Sequence, residues 1–335
     1  MHATTCGDAA PPCPVPCDLC GGTNTDELSR VDRRGAYLRT VICRRCGLVF
    51  SDPRPSSEAI RDYYEHSYRL DYKQAYQPDA KHIYRAAKVA VERVRSFASI
   101  LREGDRVLDF GAGAGEVVYV LRTLGYDATG FEPNVGYCRF ASETLGLPVT
   151  HGLYQKMQFE PESYDVVVAF HVFEHLESPL HAFSTVHRWL RCGGRLLVEV
   201  PNVEATCQWP RSRFHSAHLY NFNPASLEMA GQRTGYAVVS TTVSSDGGNV
   251  SVLFQAQRDS PPVKGDIPGN YERVRQIVRR HKAWRHFLTP YPYVRPLRKL
   301  LARWDERSCT KRSIEPRQIL DFVVAKHMSR EPERL

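Results

Sequence analysis

The chain holds 335 residues, ten of them cysteine and thirteen histidine, and several of these fall at spacings that do chemistry. Cys17-Asp-Leu-Cys20-Gly21 and Cys43-Arg-Arg-Cys46-Gly47 are two C-x-x-C-G knuckles with 22 residues between them. Four thiolates so spaced close tetrahedrally on zinc, and the glycine after each pair opens the tight turn around the sulfurs. A set of four leaves the metal no open position, so the implied role is structural. Disulfides are the alternative, and they fit poorly with further scattered cysteines at Cys138, Cys192, Cys207 and Cys309. Cys13 competes with Cys17 for a place in the set, and Cys6 reads as a free thiol in a disordered end.

The second signature is Val107-Leu-Asp-Phe-Gly-Ala-Gly-Ala-Gly-Glu116. Arg106 to Phe110 is a short apolar run broken by one acid, the pattern of a buried parallel strand. Gly111, Gly113 and Gly115, with Ala112 between them, permit a tight turn and close approach of a ligand to the backbone. Val117, Val120, Leu121 and Leu124 predict a helix that Gly125 ends, and Asp127 to Phe131 predicts the next strand. Glu132, before Pro133 and 21 residues after Gly111, stands where a carboxylate accepts hydrogen bonds from the ribose hydroxyls of an adenosine cofactor. A dinucleotide needs glycine at the sixth loop position so that its pyrophosphate can sit on the helix N-terminus. Glu116 stands there instead and repels it. S-adenosylmethionine (SAM) has no phosphate and carries an ammonium and a sulfonium, which suit Asp109 and Glu116.

From about residue 105 to 257 the chain resembles a class I SAM-dependent methyltransferase. Further segments carry the resemblance: Ser163-Tyr-Asp-Val-Val-Val-Ala-Phe170, His171-Val-Phe-Glu-His175, the helix Pro179 to Leu190 with Ser178 as N-cap, and Cys192-Gly-Gly-Arg-Leu-Leu-Val-Glu-Val-Pro201. The resemblance implies an α/β fold: a Rossmann-like sheet flanked by helices, with a small N-terminal zinc ribbon and a helical C-terminal extension. It also implies that Phe170 and His171 join the loop in holding SAM. Two knuckles, then Gly47-Leu-Val-Phe-Ser-Asp-Pro-Arg-Pro55, a tyrosine-rich stretch (Tyr63, Tyr64, Tyr68) and the SAM domain are together similar to a group of bacterial methyltransferases. Members are commonly associated with surface-polysaccharide, deoxysugar or secondary-metabolite synthesis, which implies a small-molecule or glycan acceptor.

Methyl transfer from a sulfonium is an in-line displacement, so the protein must align the acceptor and, for a hydroxyl, take its proton. His171, Glu174 and His175 share a face if their segment turns helically. Glu174 and His175 also match an E-H pair that helps hold a divalent cation in some related O-methyltransferases, with His171 here at the outer position in place of an acid. His215-Ser-Ala-His-Leu-Tyr-Asn-Phe222 resembles a segment of deoxysugar C-methyltransferases that usually carries H-E-H-L. Here Ser216 and Ala217 stand before His218, which weakens the C-methyl alternative and leaves His218 as a base for an alcohol. The expected catalytic residues are thus His171, His218 and His175, each with a structural role as its alternative. Many relatives place an acid where Leu153, Tyr154 and Gln155 follow His151-Gly152, so the adenine contacts fall to backbone groups or Gln155.

The elements that position these residues divide the chain into a disordered end (1–12), a zinc ribbon (13–56) with short strands from Val31 to Val41, and a helical linker or cofactor lid (57–101). The SAM domain (102–258) and a basic helical extension (259–335) follow. In the linker, Ile83, Ala87, Ala90, Val91, Val94 and Phe97 form one apolar stripe. Residues 259–335 hold 18 Lys/Arg against 9 Asp/Glu, so the net charge of +8 belongs to the tail. There Tyr271 to Leu288 predicts a basic amphipathic helix. Docking on the protein's own surface, including a homodimer interface, is one reading; peripheral contact with an anionic membrane is the other. A nucleic-acid methyltransferase using the ribbon arginines and the tail is a further alternative, without an RNA-module fingerprint. No run is long enough to span a membrane, and Met1 to Pro16 lacks the apolar core of a secretion signal, so a cytoplasmic enzyme is expected.

Overall fold

The computed structural model describes residues 15–62, 78–259, 263–297, 300, 306 and 315–328. The end 1–12, Cys6, Cys13, Cys309 and the tyrosines at 63, 64 and 68 lie outside the described residues.

A ribbon sheet comes first. Strand β1 (Thr25–Val31) pairs antiparallel with β2 (Tyr37–Cys43), and β2 with β3 (Val49–Ser51). The short strands expected from Val31 to Val41 are the end of β1 and most of β2, divided by a turn. Asp32 Oδ1 accepts hydrogen bonds from the amides of Arg34 and Ala36 at 2.8 and 2.9 Å, a side-chain turn that takes the backbone out of the ladder. Short helix α1 (Ser57–Asp62) follows, then α2 (Ala80–Phe97), capped by Asp79, whose side chain accepts from the His82 amide at 2.7 Å.

The main sheet has seven strands: β4 (Arg106–Phe110), β5 (Asp127–Glu132), β6 (Val149–His151), β7 (Tyr164–Phe170), β8 (Leu190–Pro201), β10 (Tyr236–Val243) and β11 (Asn249–Ala256). Their order is β10-β11-β8-β7-β4-β5-β6. The run from β6 to β8 is parallel, and the β10–β11 hairpin adds antiparallel at the β8 edge. Helices α3 (Glu116–Thr123), α4 (Val135–Arg139), α5 (Pro179–Trp189) and α6 (Pro224–Gln232) accompany them. This is the α/β, Rossmann-like architecture expected from the sequence. Strands β5 and β6 are added on one side of β4 and β7 and β8 on the other, and a ligand crevice opens at the carboxyl ends where the strand order switches in this way.

Two apolar layers flank the sheet. On one side α2 buries the expected stripe, with Tyr84 added, against Val107 of β4 and Val117 to Leu121 of α3. A helix not anticipated individually, α9 (Pro316–Met328), joins this layer through Ile319, Leu320, Val323 and Val324. The other layer includes Phe110, Phe131, Phe173 and Phe183, and extends into the ribbon through Leu19, Val41 and Phe50. The ribbon is therefore continuous with the core of the larger sheet.

Backbone pairing strengthens that continuity. A two-residue strand β9 (Tyr220–Asn221), from the segment after β8, completes the ribbon sheet against β3. Asp18, inside the first knuckle, accepts from the Leu180 amide at 3.1 Å and from Ser178 Oγ at 2.9 Å. Ser178 caps α5 as expected, and the knuckle supplies a second acceptor to the same helix end.

Beyond β11, α7 (Asn270–Arg280) lies on the ribbon and buries Val274 with Ile42, Val49, Val203 and Phe214. Asn270 Nδ2 donates to the Cys46 carbonyl at 2.8 Å, and Tyr271 hydrogen-bonds Asp26. The single helix expected from Tyr271 to Leu288 is interrupted. His281 leaves helical geometry as its buried ring meets Arg213, Nη2 to Nδ1 2.6 Å, and within the expected span the short α8 (Ala283–His286) follows. No helix among the described residues is long and apolar enough to cross a membrane.

Candidate active site and cysteine cluster

The glycine loop and the histidine segments meet in one cavity of about 710 Å³ at the carboxyl ends of β4, β5, β7 and β8. Gly111, Gly113 and Gly115 all have positive φ, at 80°, 58° and 85°. A Cβ on Gly111 would lie 2.7 Å from Val172 Cγ2, so the loop packs directly beneath the segment that carries His171. Glu132 accepts from the Gly113 amide at 2.9 Å through Oε2 and from the Asn134 amide at 3.1 Å through Oε1. These bonds fix the second-strand carboxylate against the loop. Asp109, Gly111, Ala112, Gly113, Glu132 and Pro133 all line the cavity, as do Phe170 and His171. Gly115 does not. It is the left-handed N-cap of α3, and a Cβ there would lie 2.7 Å from Leu147 Cδ1, so its absent side chain serves packing instead of ligand contact. Leu153, Tyr154 and Gln155 also line the cavity. Burial raises the Asp109 carboxyl to about 7, with Arg93 opposing the rise and Glu116 and Glu132 adding to it.

Phe173–His175 forms a single 3-10 turn, which brings the expected trio together. His171 has φ 57°, the left-handed region that a residue of this kind seldom adopts. That conformation points its ring between two acids: Nδ1 lies 3.4 Å from Glu174 Oε1, and Nε2 lies 3.4 Å from Glu199 Oε1. Burial by itself would lower the His171 pKa, but Glu174 and Glu199 outweigh it and raise the value to about 9. Both acids are held down to about 2, against their own burial; for Glu174 the chief opposing group is His175, and for Glu199 it is His171, then Arg93. Glu199 also receives Arg93 Nη2 at 2.8 Å, and the Arg93 guanidinium lies over the Phe170 ring at 4.5 Å. In the sequence Glu199 stands only as part of a predicted strand, and nothing there singles out Arg93. The available signal was an acid near the carboxyl end of an otherwise apolar parallel strand.

His175 and His218, distant in sequence, stand edge to face with ring centroids 4.8 Å apart. His175 Nδ1 pairs with the Ala217 carbonyl at 2.8 Å, and its Nε2 lies 3.5 Å from Glu174 Oε1. Glu174 is 1 % exposed, at ion-pair distance from two histidines, yet neither oxygen makes a hydrogen bond of good geometry. Nitrogen and oxygen atoms of Glu174, His175 and His218 lie within 4.8 Å of one another. Burial, followed by His175, holds His218 well below the ordinary histidine range, so it is neutral at pH 7. His215, whose ring is 5.1 Å from His218, is lowered to about 4, first by burial and then by Arg33. Cys207, Asp246 and Arg295 line another part of the same cavity.

Away from the cavity, the four knuckle cysteines converge. Cys17 Sγ lies 3.5 Å from Cys46 Sγ, Cys20 Sγ lies 3.4 Å from Cys43 Sγ, and all four sulfurs fall within 4.8 Å. A disulfide needs about 2.05 Å, so these are thiols. Four sulfurs bonded at about 2.3 Å to one tetrahedral ion stand about 3.8 Å apart, close to the observed spacing. The donor set and geometry fit zinc. Ribbon arginines that suggested nucleic acid are paired with acids: Arg30 with Glu27, Arg39 with Asp52, Arg44 with Asp26 and Arg45 with Asp266.

A parallel-rich sheet with a glycine loop and a carboxylate at its crevice defines the class of domain. Residues 80–241 match the family model described as a methyltransferase domain, and a zinc-ribbon-like cysteine cluster lies ahead of them. The chain is similar to a ubiquinone biosynthesis O-methyltransferase of Roseobacter denitrificans, 32% identical over 97 residues, covering 28% of this chain and 39% of that protein. It is also similar to a tRNA U34 carboxymethyltransferase of Hydrogenovibrio crunogenus, 29% identical over 155 residues, covering 41% of this chain and 45% of that one. The chain thus spans less than half the length of these curated relatives. Among solved structures, a SAM-dependent methyltransferase of Thermotoga maritima, described as a possible histamine N-methyltransferase, aligns at TM-score 0.45 and 18% identity, over 59% of this chain and 100% of that one.

Proposed function

We propose that this protein is a SAM-dependent methyltransferase that methylates a hydroxyl of a sugar, a glycan precursor or a related small metabolite, with His218 accepting the proton. The observation that carries the reading is the meeting, in one cavity, of the glycine-loop and Glu132 constellation with a neutral histidine backed by a buried carboxylate. The relatives named ubiquinone biosynthesis O-methyltransferases support oxygen as the acceptor atom.

The residues fit SAM. Gly111, Ala112 and Gly113 turn the loop to the cavity, Glu132 faces the ribose position, and Asp109 and Glu116 offer negative charge to the ammonium and sulfonium. When bound, SAM supplies a methyl group already activated by its positive sulfur. The protein's share is alignment and proton removal. His171, protonated up to about pH 9, cannot take a proton at neutral pH; it acts as a fixed cation that ties Glu174 to Glu199. His218 is neutral, and Glu174 within reach stabilises the imidazolium formed as the acceptor hydroxyl loses its proton. His175, oriented by the Ala217 carbonyl, holds the pair in register. Cys17, Cys20, Cys43 and Cys46 hold zinc structurally, outside the chemistry.

The spacing of Glu174, His175 and His218 also suits a divalent cation, which is the second reading of that trio. Metal analysis separates the two: one zinc per chain, with turnover unaffected by added divalent ions, keeps His218 as the base.

Calorimetric titration and a coupled turnover assay against a panel of sugars and small alcohols test the proposal. Glu132→Ala should weaken SAM binding by roughly 10–100-fold. His218→Gln should retain SAM binding and lower kcat by roughly 10²–10⁴-fold. Absence of SAM binding, or wild-type kcat in His218→Gln, would sink the proposal.

A further inference from the structure

After α7 has turned its apolar side to the ribbon, the chain continues into a segment whose apolar side chains face outward. Trp284 is 58% exposed, Phe287 52%, Leu288 78%, Tyr293 61% and Leu297 62%, and Leu300 continues the series at 56%. Trp284 lies on α8, Phe287 and Leu288 in the turn that follows it, and Tyr293 and Leu297 on the helical stretch 291–297. They are not scattered among charges of both signs. From Arg279 to Leu297 there is no Asp or Glu, while Arg279, Arg280, Lys282, Arg285 and Arg295 are all present and exposed. The segment is anchored from behind. His286 is buried against His281, Trp209 packs edge-on against His286 and Phe287 with centroids 5.6 and 5.5 Å away, and Tyr291 donates to the Asp246 carbonyl at 3.4 Å. A fixed scaffold thus presents bulky apolar groups and cations together.

We propose that this surface docks on an anionic lipid bilayer. Charge complementarity selects the occupant. A second copy meeting the same patch about a two-fold axis would set five exposed cations against five. Nucleic acid would satisfy the cations, but the most exposed apolar groups, Leu288 and Leu297, are aliphatic and cannot stack on bases. A membrane interface satisfies both: acyl chains take the leucines and Phe287, Trp284 and Tyr293 sit at headgroup level, and acidic headgroups meet the arginines and lysine. Arg295 also lines the cavity, so docking sets the cavity mouth near the lipid surface. The proposal does not depend on which acceptor or cofactor the cavity takes.

Vesicle flotation of the full chain tests it, using phosphatidylcholine alone and phosphatidylcholine mixed with phosphatidylglycerol. Binding to the mixed vesicles should exceed binding to the neutral ones and should fall with added salt. The triple variant Arg279→Gln/Arg280→Gln/Arg285→Gln should lose about fivefold in partition per charge removed. Leu288→Asp/Leu297→Asp should lose binding at unchanged far-UV circular dichroism, and a blue shift of tryptophan emission on wild-type binding should be absent from Trp284→Phe. Equal binding to both vesicle types, or wild-type binding by the leucine variant, overturns the proposal. So does a wild-type dimer that Leu288→Asp/Leu297→Asp makes monomeric without any vesicle binding, or patch-dependent RNA binding with vesicles ignored.

Discussion

His171 is held in an unfavourable backbone region by the two carboxylates its ring bridges, and this has a thermodynamic sign. Its folded value near 9 stands above the ordinary 6.5, so its contribution to stability is complete below about pH 6.5 and is lost as pH rises through about 9. His171→Asn keeps a side chain that tolerates positive φ. The melting-temperature gap between wild type and this variant should therefore be widest below about pH 6.5 and close above about pH 9, as scanning calorimetry across pH would show. Asp109 runs the other way in function. Burial leaves it part-protonated near pH 7, and a cationic ligand prefers the ionised form. SAM affinity should rise as pH increases through about 7, and Asp109→Asn should remove that component while lowering affinity overall; titration calorimetry at several pH values measures both. Glu132 was legible because its distance from Gly111 is a local repeat of strand, turn and helix. Glu199 was not, because its meaning comes from Arg93, 106 positions away.

Among the elements, α7 shows what a helical period reveals and what it conceals. Its amphipathic pattern announced a helix with one buried side, and Val274 fills that role. The pattern could not say that the surface it meets is the cysteine ribbon, or that His281 ends the helix by meeting Arg213. The contact is tight where Gly47 passes Asn270. A Cβ at Gly47 would lie 2.6 Å from Asn270 Nδ2, and its φ of 74° already disfavours a side chain. Gly47→Ala should cost about 3 kcal/mol in chemical denaturation. Asn270→Ala, which removes the bond to the Cys46 carbonyl and leaves that buried acceptor unpaired, should cost about 1–3 kcal/mol. The last strand of the ribbon sheet was likewise invisible beforehand. Tyr220–Asn221 is too short to carry an alternation of its own, and its partner is distant in sequence.

For the whole molecule, the ribbon and the methyltransferase sheet share one apolar layer, a strand pairing and a helix cap. Loss of the proposed zinc should therefore reach the cavity. Ser51 donates through its amide to the Leu219 carbonyl at 2.9 Å and contacts the His218 carbonyl through Oγ, so ribbon order and the placement of His218 are coupled. Cys43→Ser, or zinc stripped by a strong chelator, should lower the melting temperature of the full chain and reduce kcat more than SAM affinity; atomic absorption and titration calorimetry on one preparation check this. The pairing of β3 with β9 also has a consequence during synthesis. The ribbon's edge strand emerges from the ribosome about 170 residues before its partner, which at about 5–20 residues per second leaves that edge open for roughly 10–30 s. The nascent chain thus has an interval in which zinc can close the knuckles while Val49 to Ser51 still await the strand that covers them.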